Sequence, residues 1–244
     1  MIALTNLTKR YGDLVAVDRL NLSVEKGEIF GFIGPNGAGK TTTIRMIAGV
    51  LRPTEGEVVI DGVDMAADPV AAKRVIGFIP DRPFLYEKLT GMDFMRFSGD
   101  LYGIGDGIFK ERAEGLLIRF SLLDWADHLI EAYSHGMKQR LVIASALLHD
   151  PRVIIVDEPM VGLDPAGIRM VKDLLRELAC KGTAIFMSTH TLEIAEDLCD
   201  RIGVIHRGRL IALGTTGDLR GTARLVEGDL EDVFLRLTGK EHYE

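Results

Sequence analysis

The stretch Gly34-Pro35-Asn36-Gly37-Ala38-Gly39-Lys40-Thr41-Thr42 constrains this chain more than any other. Ahead of it, Ile29-Phe30-Gly31-Phe32-Ile33 is an apolar run that reads as a buried strand, and behind it residues 41–48 read as a helix. Glycines at the spacing GxxxxGK[ST] let successive backbone N–H groups turn inward around a phosphate, because Gly34, Gly37 and Gly39 reach conformations that a Cβ forbids. The helix start near Thr41 adds its positive dipole end. Lys40 has the reach for β- and γ-phosphates, and the Thr41 hydroxyl suits one position on Mg²⁺. Asn36, Ala38 and Thr42 complete the loop. Strand, loop and helix in this order predict an α/β fold that binds a nucleotide.

The chain has 244 residues, 47% of them hydrophobic, enough for a full core built as one large domain or a domain with a subdomain. A formal charge of -7 argues against a nucleic-acid-binding face. The longest apolar run, residues 141–148, is far short of a membrane span, and the first residues do not read as a signal peptide, so a cytosolic protein is expected. Cys180 and Cys199 have no CxxC or histidine cluster beside them and are expected to be reduced, structural thiols.

Residues 1–8 and 15–24 alternate as strands of an antiparallel sheet, with breaks at Tyr11-Gly12-Asp13 and Glu25-Lys26-Gly27-Glu28. Tyr11 has two open readings, a ring stacked on adenine or a strand-end side chain packed on the sheet. Residues 57–60 read as a strand, Asp61-Gly62 as a hairpin turn, and residues 76–79 as a short buried strand. From about 83 to 150 the pattern becomes helical, with Thr90 as a cap and helices over 109–123 and 138–149, which predicts an insertion in the α/β frame. Phe84, Tyr86, Met92, Phe94, Met95 and Phe97 within it suit either a groove for a partner or the insertion's own core.

Val153-Ile154-Ile155-Val156 is β-branched throughout without alternation, the mark of a strand covered on both faces. It ends in Asp157-Glu158, at the strand end where open α/β sheets place their ligands. Asp157 suits holding Mg²⁺, directly or through water, and Glu158 suits orienting and polarising an attacking water. A second strand, Ile185-Phe186-Met187-Ser188-Thr189, delivers His190 to donate a hydrogen bond to a γ-phosphate.

Taken together, these residues resemble the nucleotide-binding subunit of an ATP-binding cassette (ABC) transporter, over nearly the whole chain. Residues 34–42 match the Walker A loop, 153–158 the Walker B strand, Gly162-Leu163-Asp164-Pro165 the D-loop, His190 the switch histidine and Tyr11 the adenine-stacking aromatic. The resemblance implies a P-loop NTPase core with a parallel sheet, an N-terminal antiparallel β-subdomain and an inserted α-helical subdomain. It implies a nucleotide-binding domain over residues 1–228 and a helical tail over 229–244. The implied ligands are ATP and Mg²⁺, and the implied partners are a second ATP-binding subunit, as homodimer or heterodimer, and an integral-membrane permease on a separate chain. Each nucleotide is then held between the Walker motifs of one chain and the signature of the other, on the inner face of the cell membrane. No nucleic acid is expected.

Two motifs depart from the family. Where its signature Leu-Ser-Gly-Gly-Gln is expected, this chain has Tyr133-Ser134-His135-Gly136-Met137. Ser134 suits an N-cap and Gly136 is retained, so the helix end that faces the second copy's γ-phosphate survives while the glutamine contact does not. After Ile79-Pro80, Asp81 replaces the Q-loop glutamine and is expected to reach the metal through a water. In the tail, Asp229 suits a cap, and Leu230, Val233, Phe234 and Leu237 share a helical face. That string resembles the tail of exporter-type subunits of the drug, antibiotic or polysaccharide class, which makes ATP-driven export the expectation. The alternative is a soluble ABC ATPase acting on ribosomes or DNA, but tandem cassettes and long heptad insertions are not seen.

Overall fold

Strands that are apolar at every position need cover on both faces, and this need sets the architecture of residues 1–82, 84–223 and 229–239, which the computed structural model describes. The chain opens with a hairpin of β1 (Ile2–Tyr11) and β2 (Leu14–Val24), then enters β3 (Ile29–Ile33) and α1 (Lys40–Ile47). β4 (Glu55–Ile60), β5 (Val63–Asp64) and α2 (Pro69–Arg74) lead to β6 (Ile76–Ile79). Three helices follow, α3 (Gly91–Leu101), α4 (Asp106–Arg119) and α5 (His135–Leu147). Strand and helix then alternate through β7 (Val153–Asp157), α6 (Pro165–Cys180), β8 (Ala184–Thr189), α7 (Leu192–Leu198) and β9 (Arg201–His206). Last come β10 (Arg209–Gly214), α8 (Thr216–Ala223) and α9 (Leu230–Thr238).

β1, β2, β4 and β5 form an antiparallel sheet in the order β2-β1-β4-β5. The second sheet has the order β10-β9-β3-β8-β7-β6 and is parallel except for the edge pair β10–β9. Every residue of β3, β7 and β8 is buried. The alternation that composition hides is visible in packing: Ile154, Val156, Ile185 and Met187 face a core shared with α3, α4, α5 and α6, while Val153, Ile155, Ala184 and Phe186 face α1 and the antiparallel sheet. A third core joins Ile33, Ile202 and Val204 to Ala195, Leu219, Leu230 and Val233 on the three C-terminal helices. The inserted helices therefore share their core with the sheet.

Local signals hold where a cap or turn residue is decisive. Thr90 accepts from the Asp93 amide at 3.0 Å and its own N–H donates to the Asp93 carboxylate at 3.2 Å. Asp61 and Gly62, at φ 49° and 83°, make the turn between β4 and β5. Boundaries moved elsewhere. β1 runs on through Tyr11, whose partner is Leu14, because ladder pairing with β2 carries it past the polar residues Thr8, Lys9 and Arg10. α4 starts at Asp106 and stops at Arg119, before Ser121 at φ 54°, and α5 starts three residues early on its Ser134 cap. Pro83, the expected 228/229 boundary and tail residues 240–244 lie outside the described residues.

Residues 84–97 divide between core and surface. Phe94 and Met95 are buried, whereas Phe84, Tyr86 and Phe97 are exposed and meet edge to face, at centroid distances of 6.0 and 5.4 Å. Cys180 and Cys199 are free, and burial pushes the Cys199 thiol up to about 12. Among the described residues no helix is long and apolar enough to cross a membrane.

At the seam between the inserted helices and the sheet, the rings of Tyr102 and His149 stack at 3.6 Å, and His149 Nε2 lies 3.0 Å from the Ile76 carbonyl oxygen. Burial holds the His149 pKa below its ordinary value; the Ile76 carbonyl and Asp150 oppose that shift and Arg112 adds to it. The unfolded chain therefore binds the proton more readily, so stability is lost as pH falls below the unfolded value of about 6.5. We predict that the urea midpoint of the wild-type protein falls between pH 7.5 and 5.5, and that His149→Phe, which keeps the stack, flattens this slope. A slope in the variant as steep as that of the wild type would assign the acid sensitivity to other groups.

Candidate active site

Three parallel strands end side by side, β3 at Ile33, β8 at Thr189 and β7 at Asp157, and the segments that follow them help to wall one cavity of about 570 Å³. Asn36, Gly37, Gly39, Lys40, Thr41 and Thr42 line one side. Asp157, Glu158 and His190 line another, and Tyr11 and Asp81 complete it.

The loop is built for an anion. Gly39 is the N-cap of α1 at φ 113° and brings no side chain to the helix's first amides, which leaves them for a ligand. A Cβ on Gly39 would stand 2.6 Å from the Ala16 carbonyl oxygen, so the loop lies against β2 in a way only glycine permits. Ala38 and Gly34 do not line the cavity. Ala38 is buried and ties the loop down, donating to Pro35 O at 3.1 Å and accepting from the Gly208 amide at 2.9 Å. Gly34 O accepts from Lys40 Nζ at 2.6 Å, with Pro35 O at 3.3 Å from the same nitrogen. Burial lowers the Lys40 pKa, and Glu158 and Asp157 oppose that shift through their charge. Glycine cradle, orphan amides and folded-back ammonium together fit a nucleotide phosphate chain.

Asp157, 4% exposed, accepts a short hydrogen bond from the Ser188 hydroxyl on the adjacent strand. Glu158 sits at φ 53°, a conformation that costs a non-glycine residue roughly 1–3 kcal/mol and is held here by its N–H bond to Ser188 O at 3.1 Å. His190 Nδ1 is 2.8 Å from Glu158 Oε1, and the His190 amide donates to Oε2 at 3.4 Å. The Thr41 hydroxyl and the Asp157 and Asp81 carboxylates are all hard oxygen donors, which suit Mg²⁺. Among the described residues no cluster of three or more His, Cys, Asp or Glu could hold a metal alone, so a cation here needs phosphate or water oxygens as well.

Ser134, Gly136 and Asp164 stand outside this cavity. Ser134 caps α5 by accepting from the Met137 amide at 3.3 Å, and Asp164 caps α6 by accepting from the Gly167 amide at 2.8 Å. They neighbour one another, since the His135 ring lies directly on Gly162. Sequence reasoning missed Leu14, Ala16 and Val161, which also line the cavity. The one signal for Leu14 was the hairpin that pairs it with Tyr11.

The family model described as ABC transporter matches residues 17–161. The linearmycin resistance ATP-binding protein LnrL of Bacillus subtilis is 39% identical over 219 residues, covering 90% of this chain and 70% of its own length. A solved ATP-binding subunit of an ABC transporter superposes with a TM-score of 0.93 at 34% identity, over 98% of this chain and 99% of the other. A dimeric ATP-binding cassette bound to ADP and Pi superposes with a TM-score of 0.81 at 28% identity, over 88% and 98%. On these matches the chain belongs to the ABC transporter family as an ATP-hydrolysing, ATP-binding subunit.

Proposed function

We propose that this chain powers export through a separate integral-membrane permease, on the inner face of the cell membrane, and that it works as a dimer with a second ATP-binding subunit of the same or a related chain. The observation that carries the catalytic part is the Glu158–His190 pair at 2.8 Å beside Lys40 in one cavity. Lys40 and the amides of α1 bind the phosphates, and Tyr11, exposed at the rim, stacks on the adenine. Glu158 polarises the attacking water and takes its proton. With His190 Nδ1 engaged by Glu158, Nε2 is the nitrogen left to face the γ-phosphate, and it donates there in the protonated ring. Thr41, Asp157 and Asp81 are the residues that would hold Mg²⁺, which would supply positive charge to neutralise the phosphates.

The α5 N-terminus with Ser134 and Gly136, together with Asp164, then faces the nucleotide of the second copy, which accounts for their place outside this chain's own cavity. Export is supported by the resistance protein LnrL, and dimerisation by the cassette bound to ADP and Pi. Exposed Phe84, Tyr86 and Phe97 form an apolar patch suited to the permease.

Glu158→Gln is expected to keep ATP binding, to slow hydrolysis at least ~10²-fold and to accumulate an ATP-bound dimer in gel filtration. Lys40→Ala should weaken nucleotide binding itself. Wild-type turnover by Glu158→Gln would sink the catalytic assignment. Asp81→Asn should raise the Mg²⁺ concentration needed for half-maximal ATPase activity and leave metal-free nucleotide binding equal or tighter; superimposable titrations would make Asp81 a solvated turn residue. Phe84→Glu with Phe97→Glu should release the chain from permease-containing membranes with its ATP affinity unchanged, and undiminished membrane recovery would rule this patch out.

A further inference from the structure

We propose that α9 is a positioning element for His190: its apolar face fixes α7, α7 fixes the link to His190, and the tail thereby sets the rate of hydrolysis without touching the nucleotide. The proposal rests on the role given to His190 above.

α7 is seven residues long, and Thr191 supplies no side-chain hydrogen bond to its N-terminus. A helix this short has no stability of its own and takes its place from tertiary packing. That packing has two sides: Leu198 and Ile194 meet the core shared with α6, with Asp197 paired to Lys172 and Arg176, and the opposite side meets the C-terminal elements. Ala195 is buried in the core that holds Leu230 and Val233 of α9 and Leu219 of α8, and Leu192 packs at its edge. Glu196 is paired with Arg220 of α8 at 2.9 Å. The same core contains Ile33, the residue before the phosphate loop, so α9 stands behind both the loop and the histidine. α9 is itself firmly framed, with a capping box between Asp229 and Asp232 at its start and Gly239 at φ 71° at its end.

Only Thr191 separates His190 from α7. A second cavity, of about 340 Å³, is lined by His190 and Thr191 of that link together with Glu193 of α7 and Asp229 and Glu231 at the start of α9. His190 is thus common to the nucleotide cavity and to a cavity bounded by the tail. Its side chain is 60% exposed, and among the described residues its ring is held by Glu158. Its backbone is fixed upstream by β8 and by the hydrogen bond of its amide to Glu158 Oε2, and downstream, through Thr191, by α7. A misplacement of about 1 Å at a reacting group costs on the order of 10²-fold in rate, so small movements of α7 are sufficient.

The test uses the purified full chain. Leu230→Ala removes a side chain that is 1% exposed, and should lower kcat about tenfold or more while the KM for ATP stays within about twofold. Leu230→Met, which keeps the volume, should restore kcat. Introduced into His190→Ala, the Leu230→Ala change should cause no further loss, because the residue through which it acts is gone. Thermal melting of each variant separates loss of fold from loss of rate; should Leu230→Ala fail to fold, Phe234→Ala trims the half-buried rim of the same face and should follow the same pattern. Losses that multiply in the double variant, or a rise in KM at constant kcat, overturn the proposal and leave the role of His190 standing. Wild-type turnover by His190→Ala alone overturns that role, and this proposal with it.

Discussion

Lys40 carries its ammonium group to a place where only 8% of the residue meets solvent, and its surroundings have to answer that charge. Two backbone carbonyls of its own loop do so directly, and two carboxylates at the end of β7 do so from across the cavity. The carboxylates stay in place because Ser188 and His190, both delivered by β8, hold them. The cavity is thus a balanced set of charges that anticipates a polyanion, and the sheet order that puts β8 between β3 and β7 makes it possible.

Much of this was legible in the chain because its signals are local. The glycine loop, the β-branched strand ending in two acids and the Thr90, Ser134 and Asp229 caps each declare themselves within a few residues, and all of them occupy the expected kind of element. What stayed hidden depends on partners far apart in sequence. Ladder pairing kept Tyr11 in β1, the stack of Tyr102 on His149 joins two helices to β6, and Leu14 reaches the cavity only because its hairpin folds over the loop. The aromatic stretch 84–97 could not be sorted from its string, because burial within it is decided by which side of α3 meets α4 and α5.

The three cores meet at the strand ends. One backs the acids, one backs the loop, and the third joins the last residue of β3 to the C-terminal helices. Close-packed interiors transmit displacement, so a change at any of the three surfaces has a route to the same few side chains. For an ATP-hydrolysing subunit, that arrangement links the strand ends to the periphery through continuous packing.

The contact of His135 with Gly162 bears on how this protein can change by mutation. The ring occupies the space a Cβ at position 162 would need, and Gly162 already stands at φ 77°, where side chains are disfavoured. A larger residue at 162 therefore meets a disfavoured backbone and also requires the exposed His135 ring to swing aside. Two positions in separate motifs are thus in contact, and substitutions at them are not independent of each other.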